Sequence, residues 1–239
     1  MSLFASYGKF IFEKKWTADN INTVLNLIKK KNGCKLVDLG CGDGRLTELF
    51  AEQAGAKTVI GVEPAKIGSK IGRKIKVVSA NLNHKLPLKD NYFDIAISHY
   101  SLEHLYNVDI FMSEVNRILK KGGTFIVATD NLASWPNILS LLLGWQPFSS
   151  AYGVAKYALG NPLAGVGDFT VEEGDSLGEL SHNKVLAYQT LKEIFGVYGF
   201  RLKEITGVGY FPFYGSLSKF LCSIDKRHSH LLVIKAVKK

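Results

Sequence analysis

The sequence is poor in the features that stabilise secreted and membrane-spanning proteins. Its 239 residues include only three cysteines, Cys34, Cys41 and Cys222, with neither a CxxC pair nor the spacing of a zinc site. We therefore expect reduced thiols, no disulfide bonds and no bound metal. The longest apolar stretch, Ile138 to Trp145, is far shorter than the roughly 20 residues of a membrane-spanning helix. Residues 1–12 also lack the basic start and long apolar core of a signal peptide, which predicts a cytoplasmic protein without a membrane span.

The composition is that of an ordinary globular protein. Hydrophobic residues make up 46% of the chain and charged residues 21%, which excludes disordered and fibrous classes. A chain of this length buries enough surface to fold without a disulfide or metal staple. The formal net charge of +9 favours an anionic partner without identifying one.

Short apolar runs alternate with amphipathic helical patterns along the chain. Strands are predicted at Lys35–Leu39, Thr58–Val62, Ile75–Val78, Phe93–Ser98, Thr124–Ala128, Arg201–Thr206 and Leu231–Val237. Helices are predicted from Ile21 to a stop at Asn32-Gly33, and at Arg45–Ala54, Asp109–Leu119 and Tyr188–Tyr198. This alternation favours an α/β fold in which helices cover both faces of a mostly parallel sheet.

The regular pattern lapses between about residues 131 and 187, where Gly, Pro, Ser and aromatic residues are frequent. We interpret this stretch as a lid inserted into a single domain, 1–239, which starts with a helical segment, 1–33. The apolar run from Trp135 to Trp145 has two interpretations. It is either a helix that buries one face on the core, which the sequence slightly favours, or a surface for a hydrophobic substrate, a membrane or a second subunit.

A glycine-rich turn, residues 37–44 with the sequence VDLGCGDG, follows the first strand and opens a helix. In this position glycines let the backbone approach a ligand. The turn differs from a dinucleotide-binding loop because its third glycine comes one residue early, and from a Walker A loop because no Gly-Lys-Ser/Thr follows. Asp38 and Asp43 would repel a pyrophosphate. The turn therefore suits a ligand that carries positive charge and no phosphate.

Further motifs follow this turn in a fixed order. They are Glu63 at the end of the second strand, Asn81-Leu82 after the third, the run 86–94, Leu102-Glu103-His104-Leu105 and the run 117–123. Together with the turn, they resemble class I S-adenosylmethionine-dependent methyltransferases, and most closely the type-11 methyltransferase group. The resemblance is strong over about residues 35–130.

The resemblance implies a Rossmann-like three-layer sandwich with a seven-stranded, mostly parallel sheet and an antiparallel last strand. It implies S-adenosyl-L-methionine as the cofactor and assigns residues to each part of it. The methionine part is held by Asp38 and the backbone of Gly40, Cys41, Gly42 and Gly44. Glu63 holds the ribose, Asn81 and Leu82 hold the adenine, and Pro64 and Ser98 lie beside the cofactor.

Methyl transfer to a hydroxyl needs a base that works near neutral pH, a task that suits histidine. His99 is the first candidate because it leaves the fourth strand at the ligand-binding edge, and Tyr100 is expected to line the methyl site. The alternative is that His99 only packs beside the cofactor. Asp130 is a weaker candidate base, His104 is expected to be structural, and His182 either faces the substrate or caps a helix.

We expect a methyltransferase that acts on oxygen or nitrogen of a small-molecule acceptor, either hydrophobic or anionic, as a monomer or homodimer. The absence of an Asn/Asp-Pro-Pro-Tyr or Pro-Cys motif disfavours transfer to nucleic-acid bases. Two alternatives stay open, namely an RNA or protein methyltransferase and a non-catalytic cofactor-binding subunit. The first would use two basic surfaces. One contains Lys66, Lys70, Arg73, Lys74 and Lys76, and the other contains Lys29–Lys31 with Lys35.

Overall fold

The computed structural model describes residues 16–64, 75–153, 160–162 and 182–239. Several predicted features lie outside these residues. They are residues 1–15 of the expected N-terminal helical segment, the basic stretch Lys66, Lys70, Arg73 and Lys74, and parts of the expected lid.

Seven strands and six α-helices alternate through the described residues. The strands are β1 (Cys34–Leu39), β2 (Ala56–Glu63), β3 (Ile75–Ser79), β4 (Phe93–His99), β5 (Leu119–Asp130), β6 (Phe200–Val208) and β7 (Leu231–Lys238). The helices are α1 (Thr17–Leu27), α2 (Arg45–Ala54), α3 (Val108–Ile118), α4 (Trp135–Leu142), α5 (Tyr188–Val197) and α6 (Gly215–Ile224). Short 3-10 turns cover Leu102–His104, Phe148–Gly153 and Lys226–His228.

All seven strands form one sheet in the order β3-β2-β1-β4-β5-β7-β6. Strands β1 to β5 pair in parallel, and β7 runs antiparallel to both of its neighbours. The predicted α/β, Rossmann-like architecture with an antiparallel last strand is therefore confirmed. Because the other strands point the same way, their carboxyl ends meet at one edge of the sheet.

Alternating side chains along the strands divide the core into two layers, one on each face of the sheet. On β5, Phe125 and Val127 face the layer of α3 and α5, whereas Ile126 and Ala128 face the layer of α1 and α2. Burial on both faces explains why the central strands appear in the sequence as nearly continuous apolar runs.

Most predicted elements are present, and the main differences lie at their ends. Helix α1 ends at Leu27, before the predicted stop, because the lysines that follow continue as extended chain and the Lys31 N–H donates to the Ala54 carbonyl. Leu49 of α2 is 47% exposed. Helix α6 was not predicted at all.

Helix α4 contradicts the favoured interpretation of the run from Trp135 to Trp145. Its buried residues are Pro136, Asn137 and Ser140, whereas its leucines are exposed. The helix therefore does not bury an apolar face on the core. No helix among the described residues is long and apolar enough to cross a membrane.

The centre of the α3–α5 layer depends on Phe125, which is fully buried among the rings of Phe111, Phe195 and Phe200. Phe125→Ala should lower the free energy of unfolding by about 3–5 kcal/mol, because it removes a buried ring and leaves a cavity. Urea unfolding followed by circular dichroism measures this loss. The matched control is Phe220→Ala, at a side chain that is 60% exposed, which should change stability by no more than about 0.5 kcal/mol. Equal losses for both variants would contradict this description of the core.

Candidate cofactor and acceptor site

The strand order reverses between β1 and β4, and the predicted site residues gather there. Their neighbours β2 and β5 lead away in opposite directions, which leaves a crevice at the carboxyl ends of the strands. Open α/β sheets bind their ligands in such a crevice. Asp38 of β1 lies beside Ile97 of β4, two residues before His99.

The turn after β1 needs glycine where it approaches the neighbouring loop. Gly40 has a φ of +86°, and a Cβ there would lie 2.1 Å from the Ser101 hydroxyl oxygen. That hydroxyl donates to the Leu39 carbonyl at 2.8 Å, which ties the loop after β4 to the turn. Gly44 then begins α2 with a left-handed conformation. The turn is therefore a fixed cradle of backbone at the helix N-terminus.

Asp38 places a buried carboxylate at the base of this cradle. The side chain is 2% exposed, and its Oδ2 accepts a 2.5 Å hydrogen bond from the Thr47 hydroxyl. Its Oδ1 is buried without a hydrogen-bond partner among the described residues. Burial raises the pKa of Asp38 to about 6, although the Thr47 hydrogen bond opposes the rise. An unpartnered carboxylate oxygen of this kind attracts a cation.

Glu63, at the end of β2, stands on the other side of the turn. Its Oε2 accepts a 3.0 Å hydrogen bond from the Gly42 N–H, so the turn and the end of β2 are joined directly. Cys41 is buried between them, where a Cβ on Gly61 would lie 2.5 Å from its Sγ. Pro64 follows at the surface, and its carbonyl accepts a 3.4 Å hydrogen bond from Ser79.

The residues predicted to hold adenine lie in the loop after β3. Asn81 is exposed, and its Oδ1 accepts hydrogen bonds from the backbone and side-chain N–H groups of Asn83, at 2.9 and 3.0 Å. Leu82 is 5% exposed and contributes to the α3–α5 core layer. In this structure the Asn81 oxygen therefore shapes its own loop, and its contact with adenine stays a prediction.

His99 lies at the end of β4 and faces the layer of α1 and α2. Its Nε2 donates to the Asn20 Oδ1 at 2.8 Å, and its ring lies near those of Phe50 and Tyr100. Burial lowers the pKa of His99 to about 4, so the ring is neutral and weakly basic near pH 7. Its assignment as the catalytic base stays a prediction. Ser98, the residue before it, is fully buried, and its hydroxyl has no partner among the described residues.

Tyr100 belongs to a second, polar part of the site. Its φ is +54°, an uncommon value for a residue with a side chain, and such strain concentrates at functional sites. Its hydroxyl is buried without a hydrogen-bond partner in the described part of the chain. Burial raises the pKa of Tyr100 well above 10, and the charges of Asp130 and Glu103 add to the rise. The phenol therefore stays protonated and can donate a hydrogen bond.

Glu103, Asp130 and His182 form a cluster beside this phenol. The sequence indicated Asp130 and His182 separately as weaker candidates, but it predicted neither a role for Glu103 in the site nor the meeting of the three residues. Glu103 is 1% exposed, its Oε2 accepts from the Thr129 hydroxyl at 2.9 Å, and its Oε1 has no partner within the described ranges. His182 donates from Nδ1 to the Ser149 carbonyl at 2.5 Å and lies 3.3 Å from the Asp130 carboxylate.

The pKa values of Glu103 and His182 are both raised in this cluster. Burial raises the pKa of Glu103, and the nearby charge of Asp130 raises it further. Burial alone would lower the pKa of His182, but its hydrogen bond to Asp130 and the two negative charges outweigh this effect and raise it. The result is an imidazolium paired with Asp130, next to a carboxyl group that binds protons more strongly than usual.

Glu103, His104 and His182 also offer ligand atoms that lie within 4.8 Å of one another, a spacing that a metal ion could bridge. His182 would have to lose its proton and its pairing with Asp130 before it could coordinate a metal, so sensitivity of the activity to a chelator distinguishes a metal site from a proton-transfer site.

Comparison with known proteins shows what the chain is similar to. Residues 37–127 match the family described as a methyltransferase domain. A stretch of 99 residues, 38% of the chain, is 36% identical to sterol 4-C-methyltransferase strm-1 of Caenorhabditis elegans and covers 29% of that protein. A stretch of 159 residues, 63% of the chain, is 28% identical to the ubiquinone/menaquinone biosynthesis C-methyltransferase UbiE of Burkholderia mallei and covers 60% of it. The chain thus spans less than two thirds of the length of either relative.

The fold extends this likeness beyond the matched segment. An S-adenosylmethionine-dependent methyltransferase from Listeria monocytogenes superposes with a TM-score of 0.61 at 17% identity, covering 93% of this chain and 99% of that one. Residues 37–127 therefore match the methyltransferase domain family, and the fold of the whole chain is similar to that of an S-adenosylmethionine-dependent methyltransferase.

Proposed function

We propose that this protein transfers a methyl group from S-adenosylmethionine to a small-molecule acceptor that carries an ionisable hydroxyl. The observation that carries this proposal is a pair of buried oxygens next to the cofactor cradle, Tyr100 Oη and Glu103 Oε1, which have no hydrogen-bond partner among the residues that the structure describes. Together with a third partner in the acceptor, they could complete a hydrogen-bond network that is otherwise costly to bury.

The residues of the cradle fit the cofactor. The Asp38 Oδ1, which has no partner within the described part of the chain, suits the ammonium group of the methionine part, and the Gly40 backbone leaves space that a side chain would fill. Glu63 offers a carboxylate at the end of β2, where ribose hydroxyls are bound in related crevices. When bound, the cofactor supplies a methyl group activated by a positively charged sulfur.

Asp38→Asn separates the function of this carboxylate from its structural role. The variant should bind S-adenosylhomocysteine about 10- to 100-fold more weakly, because it loses a hydrogen bond to a charged group. Its free energy of unfolding without cofactor should not fall, because the amide keeps the Thr47 contact and removes a buried charge. Calorimetry and urea unfolding measure the two effects. Asp43→Asn, at an exposed carboxylate of the same turn, is the matched control and should bind normally.

The pH dependence of binding provides an independent test of Asp38. Because its pKa lies at about 6, lowering the pH below that value should protonate the carboxylate and remove its attraction for the ammonium group. Affinity for S-adenosylhomocysteine should then fall by about tenfold for each further pH unit. The Asp38→Asn variant should show no such change near pH 6. An identical pH profile in both proteins would remove Asp38 from the site.

On the acceptor side, Glu103 is the residue best placed to take a proton. Its raised pKa makes it a stronger base than an exposed carboxylate, and Oε1 is the atom that receives the proton. Tyr100 can donate a hydrogen bond that orients the acceptor oxygen, and His182 balances the charge of Asp130. Removing the hydroxyl proton leaves a nucleophile at oxygen or, in a conjugated acceptor, at carbon. The named activities of the sterol and ubiquinone/menaquinone relatives support carbon, whereas the residues alone favour oxygen or nitrogen.

Glu103→Gln tests this assignment, because the amide keeps the shape of the side chain but cannot accept the proton. Methylation should slow by about 10²–10⁴-fold while S-adenosylhomocysteine binds as before. The rate is measured by mass spectrometry on the most rapidly methylated member of a panel of phenols, quinols and sterols, which also reports the methylated atom. A chelator should leave the wild-type rate unchanged.

Three outcomes would contradict the proposal. An unchanged rate in Glu103→Gln together with a large loss in His99→Ala would make His99 the base. Inhibition by the chelator would make the Glu103 cluster a metal site. Tight cofactor binding without any methylated product would favour a non-catalytic cofactor-binding subunit.

The structure offers less support for RNA as the acceptor. The lysines of the run 29–31 lie at the amino ends of the strands, the edge opposite to the site. There the Asp94 carboxylate binds both Lys31 and Lys120, which neutralises part of the patch. Lys35 lies 3.8 Å above the Tyr92 ring. We therefore retain the small-molecule acceptor.

A further inference from the structure

In helix α4 polar side chains face the protein, and leucine side chains face the solvent. It buries Asn137 and Ser140, whose side chains are held by hydrogen bonds: Asn137 to the Asn131 carbonyl and the Ser149 hydroxyl, Ser140 to the Pro136 carbonyl. Its leucines point outward, and those at the end of the helix are the most exposed. Leu139, Leu141, Leu142 and Leu143 are 49%, 57%, 77% and 61% exposed. A surface helix in water normally has the reverse arrangement.

Helix α6 repeats this arrangement. Ser218 and Cys222 face the protein, whereas Leu217, Phe220 and Ile224 are 49%, 60% and 67% exposed. The three exposed side chains recur at i, i+3 and i+7 and so share one side of the helix. The segment before the helix continues this apolar surface with Phe213 and Tyr214, which are 40% and 48% exposed.

The two helices are connected by a polar joint of aromatic side chains. The Trp135 indole N–H, at the start of α4, donates to the Tyr210 hydroxyl at 2.6 Å. That hydroxyl donates to Asp225, at the end of α6, also at 2.6 Å. The Trp135 ring also lies 4.6 Å from the ring of His228. We call α4, α6 and segment 213–214 the apolar face.

This face lies at the same edge of the sheet as the site. Helix α4 follows the carboxyl end of β5, where Asp130 belongs to the polar cluster. Helix α6 follows the carboxyl end of β6, which points in the same direction. An occupant of the face would therefore lie close to the opening of the crevice.

Charge indicates what the occupant is. Segments 135–145 and 213–224 contain no acidic residue. After α6 comes Asp225, whose carboxylate is bound by Tyr210 and His228, and then the exposed Lys226 and Arg227. The chain as a whole carries a net charge of +9. Exposed leucines and phenylalanines, Trp and Tyr at their border and cations beside them are the features that bind an anionic membrane interface. A second copy of this chain would bring the same positive charges together.

We propose that α4 and α6 dock this protein on the surface of an anionic lipid bilayer. The apolar side chains enter the boundary between headgroups and acyl chains, and Lys226 and Arg227 contact the anionic headgroups. Docking does not depend on methyl transfer. One consequence does rest on the proposed function, namely that the acceptor is a lipid that enters the crevice from the bilayer.

Vesicle sedimentation without cofactor or acceptor tests the proposal. The wild-type protein should sediment with vesicles of phosphatidylcholine and phosphatidylglycerol, and much less with phosphatidylcholine alone. The double variant Leu142→Ser, Phe220→Ser should bind the anionic vesicles at least about tenfold more weakly, because it removes two large apolar groups from the interface. Lys226→Gln should weaken binding by about fivefold, the effect of one cation near an anionic surface.

Val197→Ser is the matched control, because Val197 is 77% exposed like Leu142 but lies on α5, which packs against β6. It should bind vesicles like the wild type. Equal binding of the wild type and the double variant would overturn the proposal, as would failure of the wild type to bind. A wild-type dimer that the double variant converts to monomers, without vesicle binding, would assign the face to a second copy. Calorimetry with S-adenosylhomocysteine on the same samples tests the cofactor site separately.

Discussion

The site depends on one buried carboxylate that the fold only half satisfies. Thr47 holds one oxygen of Asp38, and the other has no partner among the described residues, at the point where the sheet reverses its strand order. Burying such a group destabilises the protein unless a ligand completes its contacts. The rigid turn from Gly40 to Gly44 and the hydrogen bond between Glu63 and Gly42 keep the space beside it open. A ligand that completes the contacts of Asp38 therefore gains binding free energy from this carboxylate.

The residues predicted for this half of the site lie close together along the chain, so their place at one edge of the sheet could be predicted from the sequence. The turn, Glu63 and Asn81 each follow a strand that shows a strong apolar pattern, so their position at one edge follows from the parallel sheet. The acceptor half is different. Glu103, Asp130 and His182 come from three separate parts of the chain, and the packing of residues 183–184, near the end of the expected lid, onto Glu103 and His104 helps to bring them together. No local sequence pattern indicates that these three residues lie close together.

The two helices of the apolar face show a second limit of structure prediction from the spacing of apolar residues. A periodic apolar stripe predicts a helix but does not say which side faces the core. In α4 the buried side is held by hydrogen bonds of Asn137 and Ser140, and in α6 the small residues Ser218 and Cys222 face inward. The usual rule that leucines point inward therefore gave the wrong orientation for α4. The polar joint at Trp135 and Tyr210 could be found only in three dimensions.

The backbone at Tyr100 links the two halves of the site in a different way. Its N–H donates to the Ala128 carbonyl at 2.9 Å, so the unusual dihedral angle is anchored to the sheet rather than to a mobile loop. Glycine at this position would relax the main chain, but it would also remove the phenol, which lies near the carboxylates of Glu103 and Asp130. At position 100, glycine would remove the backbone strain, whereas tyrosine supplies a hydroxyl group to the site. This chain has tyrosine, so the hydroxyl is kept and the strained backbone is tolerated.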